Sequence, residues 1–222
     1  TLGRAAGLVT PVIALVAMPD GLPPALIVER VDIRESKTDT RLLALEDFCS
    51  VLELPSQDKY KSTMERVARA VRPLSTTPEE DAVIVLKRAL FAWLIADGDM
   101  HLKNLALLKI AERGAKQFYS VRMAPLYDAV TTRVFPNLKH DRIALKLNGK
   151  DDNLRRIDFR ALATNAGLHS SDADIAIDDM KTRLGTAIDT ITLPMGIQPS
   201  PASQKIVRDV LSLCRQRIAA LR

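Results

Sequence analysis

Thr77-Pro78-Glu79-Glu80 opens, and Asp97-Gly98-Asp99-Met100-His101-Leu102-Lys103-Asn104 closes, the stretch whose reading decides the fold. Between them run Val83, Val85, Leu86, Leu90, Phe91, Trp93 and Leu94 with little polar relief. Threonine before proline, with an acid at the third helical position, is a capping-box signature, and proline suits the first turn because its missing N–H would have no helical partner there. The pattern predicts a helix from that cap to about Ala96. A helix apolar nearly all round belongs inside a core, so Ala96-Asp97-Gly98-Asp99 is a polar loop delivered from a rigid, buried element.

Outward from this helix, Leu105–Ile110 and Phe118–Met123 read as a hairpin around Glu112-Arg113-Gly114-Ala115. Three helical patterns follow, near Ile157–Ala166, Asp172–Ala187 and Ser203–Leu221, with Pro194, Pro199 and Pro201 marking a linker before the last. On the N-terminal side, Pro11–Ala17 and Ala25–Arg30 are rich in Val and Ile and flank Met18-Pro19-Asp20-Gly21-Leu22-Pro23-Pro24, the pattern of two strands and a turn. Thr1–Leu8 reads as the last turns of a helix with Gly7 as its C-cap, an ending so early that the chain is expected to be a fragment. The polar stretch Asp32–Thr40 is the expected exit from that sheet, and from Leu42 onward helices are expected to dominate. The class is α+β, mainly α-helical.

The composition sets limits. With 222 residues, the chain is one large domain or two small ones, and it can bury enough surface to fold without staples. No apolar run is long enough to span a bilayer, and no basic-then-apolar leader opens the sequence, so no membrane partner and a cytoplasmic location are expected. Two cysteines, Cys49 and Cys214, make no disulfide framework. Only nine glycines occur, and none forms G-x-G-x-x-G or G-x-x-x-x-G-K-[ST], which excludes a Rossmann fingerprint and a Walker loop. The net charge of +5 is weak evidence for nucleic acid. The basic C-terminal stretch Lys205, Arg208, Arg215, Arg217 and Arg222 reads either as a solvated helix face or as an anionic contact.

Asp99 and Asn104 stand in D-x-x-x-x-N spacing, which phosphotransferases of the protein-kinase type use. There the aspartate takes the proton of an attacking hydroxyl and the asparagine turns inward to hold Mg²⁺, a hard ion that needs few protein oxygens beside phosphate. Asp128, in Ala124-Pro125-Leu126-Tyr127-Asp128, follows the hairpin where a second ligand is required. The spacing alone is equally that of an ordinary polar loop; the succession of buried helix, acid loop, hairpin and aspartate gives it weight. His101 reads as a packed loop histidine or as a group orienting Asp99 or touching phosphate. Lys103 reads as a neutraliser of the γ-phosphate or as a solvated lysine. The three histidines lie far from both cysteines in sequence, which argues against zinc.

At these residues the sequence resembles the HipA family, serine/threonine kinase toxins of bacterial toxin–antitoxin modules. Leu26-Ile27-Val28-Glu29-Arg30-Val31-Asp32 is similar to the family's V-E-R-F-D hinge. Glu46-Asp47-Phe48-Cys49 and Leu54-Pro55-Ser56-Gln57-Asp58-Lys59-Tyr60 resemble its E-D-x-C and L-P-S-x-x-K-Y segments. Phe91–Asn104 resembles F-x-x-L-I-x-x-x-D-x-H-x-K-N, and Ala124–Asp128 resembles P-F-Y-D.

The resemblance implies a protein-kinase-like C-lobe over residues 33–222, with a remnant of the N-lobe sheet and hinge over 1–32. It implies Asp99 as catalytic base, assisted by Lys103, with Asn104 and Asp128 as Mg²⁺ ligands. Glu29, Arg30 and Val31 would pair with adenine of ATP, and His101, Lys103, Asn104, Tyr127 and Asp128 would line the nucleotide site. It further implies a protein substrate, an aminoacyl-tRNA synthetase by family habit, and a small DNA-binding antitoxin through which DNA is met. Val31 departs from the hinge phenylalanine, and the phosphate-covering loop and its strand lysine would precede Thr1, so the chain alone is expected to be inactive. Two other readings stand beside this one: a small-molecule phosphotransferase of the aminoglycoside or choline kinase type, and a non-catalytic lobe that docks an antitoxin.

Overall fold

The computed structural model describes residues 1–35, 40–193, 197 and 199–221. Helix α1 (Leu2–Ala5) is followed by strands β1 (Ile13–Val16) and β2 (Ala25–Val28), paired antiparallel with Ile13 opposite Val28. β3 (Ile33–Glu35) and β4 (Thr40–Leu42) form a second ribbon. The third sheet has order β5-β6-β7, from β5 (Ala44–Asp47), β6 (Ala106–Ile110) and β7 (Ser120–Met123), antiparallel throughout. The helices are α2 (Phe48–Val51), α3 (Met64–Leu74), α4 (Pro78–Ile95), α5 (Arg156–Asn165), α6 (Ser170–Thr190) and α7 (Pro201–Ala220). The chain is α+β, as its hydrophobic patterning predicts.

Helix α4 is the axis of the core. Val85, Leu86, Leu90, Phe91, Trp93 and Leu94 are all buried on it, and α3, α5, α6 and α7 pack around it. Two polar side chains break this apolar surface: Asp81 and Arg88 are fully enclosed. Asp81 accepts from the Met123 amide at 3.0 Å and from the Ser75 hydroxyl at 2.6 Å, which fastens β7 to the helix. Arg217 of α7 lies over the Trp93 ring at 3.8 Å and donates to the Trp93 carbonyl, so the last helix is latched to the axis.

Several local expectations are corrected. The capping box at Thr77 does not form: Thr77 caps α4 by position but its hydroxyl makes no capping bond. The hydroxyl of Ser75 accepts the Thr77 amide instead, and Glu80 pairs with Arg122 of β7 at 2.7 Å. Residues 42–47, expected to begin the helical part, hold the end of β4 and all of β5; pairing with distant β6, from Ala44 opposite Lys109 to Asp47 opposite Ala106, fixes β5 as a strand. The polar exit at 32–40 contributes β3 and the start of β4, while residues 36–39 lie outside the described residues. So does Pro194; Pro201 begins α7 rather than preceding it. In the basic C-terminal stretch Lys205, Arg208 and Arg215 lie exposed on α7, as a solvated helix face would, with Lys205 paired to Asp209 and Arg215 to Asp189, while Arg217 is buried. Arg222 lies outside the described residues.

At the N-terminus, Gly7 takes φ +78 and the Leu8 amide bonds to the Gly3 carbonyl, the left-handed ending expected of that glycine. Ala6 and Leu8 join the main core. The β1–β2 ribbon does not: Ile13, Leu26, Ile27 and Val28 are exposed. Among the described residues no helix is long and apolar enough to cross a membrane.

Candidate active site

Helix α4 ends because Ala96 adopts a left-handed φ of 58, and its amide and that of Asp97 return to the Trp93 and Ala92 carbonyls. The chain then turns through Asp97 and Gly98 into Asp99. Asp97 is buried, 2% exposed, and its Oδ1 accepts from the Asp99 amide at 2.9 Å. Burial pushes its carboxyl up to about 7, against the opposing pull of the Asp99 and Val130 amides. Asp99 itself keeps its side chain partly open to solvent and accepts from the Tyr60 hydroxyl at 2.6 Å. That bond to a carboxylate, with some burial, pushes the Tyr60 phenol up to about 12.

His101 resolves toward packing. It is buried, its Nε2 lies 2.7 Å from Lys59 Nζ, and it stands 4.0 Å from the Asp99 carboxylate. Burial, and then the Lys59 charge, lower its pKa, so it stays neutral and accepts at Nε2 from the ammonium. The Leu102 amide donates to the Lys59 carbonyl at 3.0 Å, so the segment carrying Lys59 and Tyr60 is bound to the loop by backbone as well as by side chains. Lys59 and Tyr60 are functional candidates without an assigned role in the sequence reading. Their signal was present: both stand in the L-P-S-x-x-K-Y segment, but no spacing along the chain says that it folds back onto Asp99.

Asn104 is buried, and its side-chain amide donates to the Asp99 carbonyl at 3.0 Å and to the Asp128 carbonyl at 3.4 Å. One side chain therefore holds the backbone of Asp99 and that of Asp128 together, leaving its Oδ1 as the group able to accept or ligate. Asp128 takes φ 53, a conformation that costs a non-glycine residue about 1–3 kcal/mol and that concentrates at functional sites. Tyr127 donates to the Lys103 carbonyl at 3.0 Å, and burial pushes its phenol up to about 12. Lys103 turns to Asp47 at 2.9 Å, the residue whose Oδ1 also caps α2 by accepting from the Cys49 and Ser50 amides. Beneath them Arg88 donates to the Asn104 carbonyl at 2.7 Å and the Pro125 carbonyl at 3.2 Å. The core helix thus fixes both halves of the site through a residue that its apolar pattern concealed.

Asp99, His101, Lys103, Asn104, Tyr127 and Asp128 are gathered by these bonds. Glu29, Arg30 and Val31 are not tied to them. Glu29 bonds back to Val12 through both its amide and its carboxylate, and Arg30 pairs with Asp32 at 2.5 Å. Among the described residues, the Glu29 carbonyl and the Val31 amide have no backbone partner. No group of three or more His, Cys, Asp or Glu side chains that could hold a metal occurs among the described residues.

The sequence profile of the HipA-like C-terminal domain matches residues 1–188. The chain belongs to that family. It is 29% identical over 172 residues to Y4mE, a predicted kinase of Sinorhizobium fredii, covering 75% of this HipA-family chain and 38% of the relative. Y4dM, a second predicted kinase of that organism, is 29% identical over 142 residues, covering 60% of this chain and 32% of its own. The chain thus spans about a third of the length of these curated relatives. Its fold is similar to HipA in the Shewanella oneidensis complex of HipA, HipB and operator DNA, with a TM-score of 0.80 at 17% identity, covering 99% of this chain and 53% of that one. It is more distantly similar to the Helicobacter pylori proinflammatory kinase CtkA, at TM-score 0.54 and 13% identity, covering 99% of this chain and 82% of that one.

Proposed function

We propose that this HipA-family chain is the catalytic lobe of a protein serine/threonine kinase that transfers the γ-phosphate of ATP to a protein hydroxyl. The observation that carries the reading is the Asn104 side chain, which joins the backbone of Asp99 to that of Asp128 and leaves Asp99 open on the solvent side. In the transfer, the acceptor oxygen forms a bond to the γ-phosphorus as the bond to the β-phosphate oxygen breaks. The acceptor proton passes to the Asp99 carboxylate and ADP leaves. Positioning does most of the work in such a transfer, and here it is supplied by Asp97, Asn104 and Arg88 from below and by Tyr60 from the side.

Asn104 Oδ1 and the Asp128 carboxylate are hard oxygen donors of the kind Mg²⁺ takes, and two protein ligands are enough where phosphate completes the shell. These two would hold the ion, which supplies positive charge against the phosphate oxygens. The open Glu29 carbonyl and Val31 amide would pair with adenine. Residues 1–32 would be the remnant of an N-lobe sheet, which the exposed apolar face of β1–β2 supports, and residues 33–222 a kinase-like C-lobe. A phosphate-covering loop and strand lysine would lie in a longer parent protein, so this chain alone would bind without turnover.

By analogy with the family, the parent would be the toxin of a toxin–antitoxin pair, meeting DNA through a small antitoxin, with an aminoacyl-tRNA synthetase as target. The HipA–HipB–DNA assembly of the structural neighbour supports that analogy. The test is phosphate transfer from radiolabelled ATP by the whole parent protein. Asp99→Ala should slow it by about 10²–10⁴, the usual contribution of a general base. A variant as fast as wild type would remove Asp99 from its role and the kinase reading with it.

A further inference from the structure

Beside Asp99 lies a groove of about 640 Å³, walled by Tyr60 and Gly98 on one side and by residues 130–144 on the other. Its polar lining holds two carboxylates, Asp99 and Asp141, with Thr132 and Arg142. Asp141 Oδ2 lies only 2.0 Å from where a β-carbon on Gly98 would stand, so the absence of a side chain at 98 lets this second carboxylate settle against the loop that carries Asp99. Asp141 is held in place, its Oδ1 accepting from the Arg142 amide at 3.0 Å and its backbone carbonyl from Arg133 at 2.6 Å.

The two arginines that touch this segment are engaged elsewhere, while Lys139 and His140 precede Asp141 without pairing with its carboxylate. Arg142 pairs with Asp151 at 2.8 Å and Arg133 with Asp152 at 2.9 Å. Among the described residues no Lys, Arg or His side chain pairs with the Asp141 carboxylate. Among the described residues, the one such group within 4.0 Å of the Asp99 carboxylate is His101, which burial keeps neutral. On a chain whose net charge is +5, this groove is a local negative site. Low-dielectric concave walls concentrate such a field. The lip is apolar: Phe135 is 47% exposed and Leu138 36%.

We propose that this groove is the acceptor-substrate site, and that Asp141 selects a peptide segment bearing a lysine or arginine within about two residues of the hydroxyl offered to Asp99. The proposal rests on the kinase reading for the identity of the hydroxyl, but not for the charge preference. Asp99 faces the hydroxyl, Asp141 faces the cation, and Phe135 and Leu138 take an apolar neighbour. The exposed apolar lip favours a peptide over a polycationic sugar, which would need polar walls on every side.

The experiment is fluorescence anisotropy on this chain with two labelled seven-residue peptides, each with one serine between leucine and either arginine or glutamate. At low salt the arginine peptide should bind about tenfold more tightly, and the difference should shrink towards unity as ionic strength rises to about 0.5 M. Asp141→Asn should cut the preference below about threefold, and Asp141→Lys should invert it. Phe135→Ser should weaken both peptides equally. Equal affinities for the wild-type chain, no measurable binding of either peptide, or a preference untouched by Asp141→Asn and by salt would each overturn the proposal. So would binding of kanamycin that depends on Asp141 while neither peptide binds, since that assigns the groove to a small cationic alcohol. Failure of the kinase reading is separable: a charge preference in this chain with no phosphate transfer by the parent leaves the groove and removes the kinase. Transfer without a charge preference does the reverse.

Discussion

Arg88 offers the sharpest test of how the core builds the site. Its side chain is fully enclosed, and burial pulls its guanidinium well down, to about 10, which at 1.36 kcal/mol per pH unit is a penalty of about 3 kcal/mol at neutral pH. Arg88→Met removes that penalty while keeping most of the volume. It also strips the donor from two carbonyls, Asn104 and Pro125, at about 1–3 kcal/mol each. The balance runs from a gain of about 1 kcal/mol to a loss of about 3 kcal/mol, at about 2–4 °C of melting temperature per kcal/mol for a chain of this size.

Arg88→Ala should lose about 2–5 kcal/mol more than Arg88→Met, because a cavity is added to the same two orphaned carbonyls. Urea denaturation of both variants measures the global effect. Amide exchange measures the local one, at Leu105, which bonds to Leu102, and at Leu126, which bonds to Val9. In Arg88→Met these two amides should lose more protection than the global stability accounts for. The reasoning is refuted if both exchange in step with global unfolding, because then Arg88 positions neither half of the site. It is equally refuted if Arg88→Met costs as much as Arg88→Ala.

Three further outcomes follow from the same geometry. Asp97 has a folded pKa raised from 3.8 to about 7, so the native state holds a proton that the unfolded state has released, and this group's contribution to stability falls as pH rises from about 4 to about 7. Asp97→Asn should therefore gain on wild type by up to about 1.4 kcal/mol per pH unit in that window; parallel stability curves would show that the carboxyl titrates normally. Gly98→Ala would place a β-carbon 2.0 Å from Asp141 Oδ2 and 2.7 Å from Thr132 Oγ1, and should cost about 1–3 kcal/mol in urea denaturation; an unchanged midpoint would mean that residues 132–141 yield freely. Cys49 and Cys214 are both buried, and burial pushes the Cys214 thiol up to about 11, so neither should react with Ellman's reagent until the chain unfolds; rapid labelling of the native protein would contradict this packing.

What the sequence alone determined is what local pattern and residue chemistry can carry. The apolar run of α4, the hairpin of β6 and β7, and the loop holding Asp99 and Asn104 were legible because each is specified by neighbours a few residues away. The family was legible too, since its segments are short, ordered and rich in rare combinations. Tertiary structure decided the rest, chiefly through partners far along the chain. β5 is a strand because β6 pairs with it. The cap expected at Thr77 was displaced by Ser75 and by Arg122.

The site divides in the same way. Asp99, Asn104 and Asp128 could be named from spacing, but nothing in the spacing shows that one asparagine amide ties the other two together. Arg88 has no role that the apolar run of α4 could reveal, because a buried charge is recognisable only once the two carbonyls that receive it are in place. Asp141 gave no signal at all: its carboxylate matters only because Gly98, more than forty positions earlier, has no side chain to keep it away from Asp99.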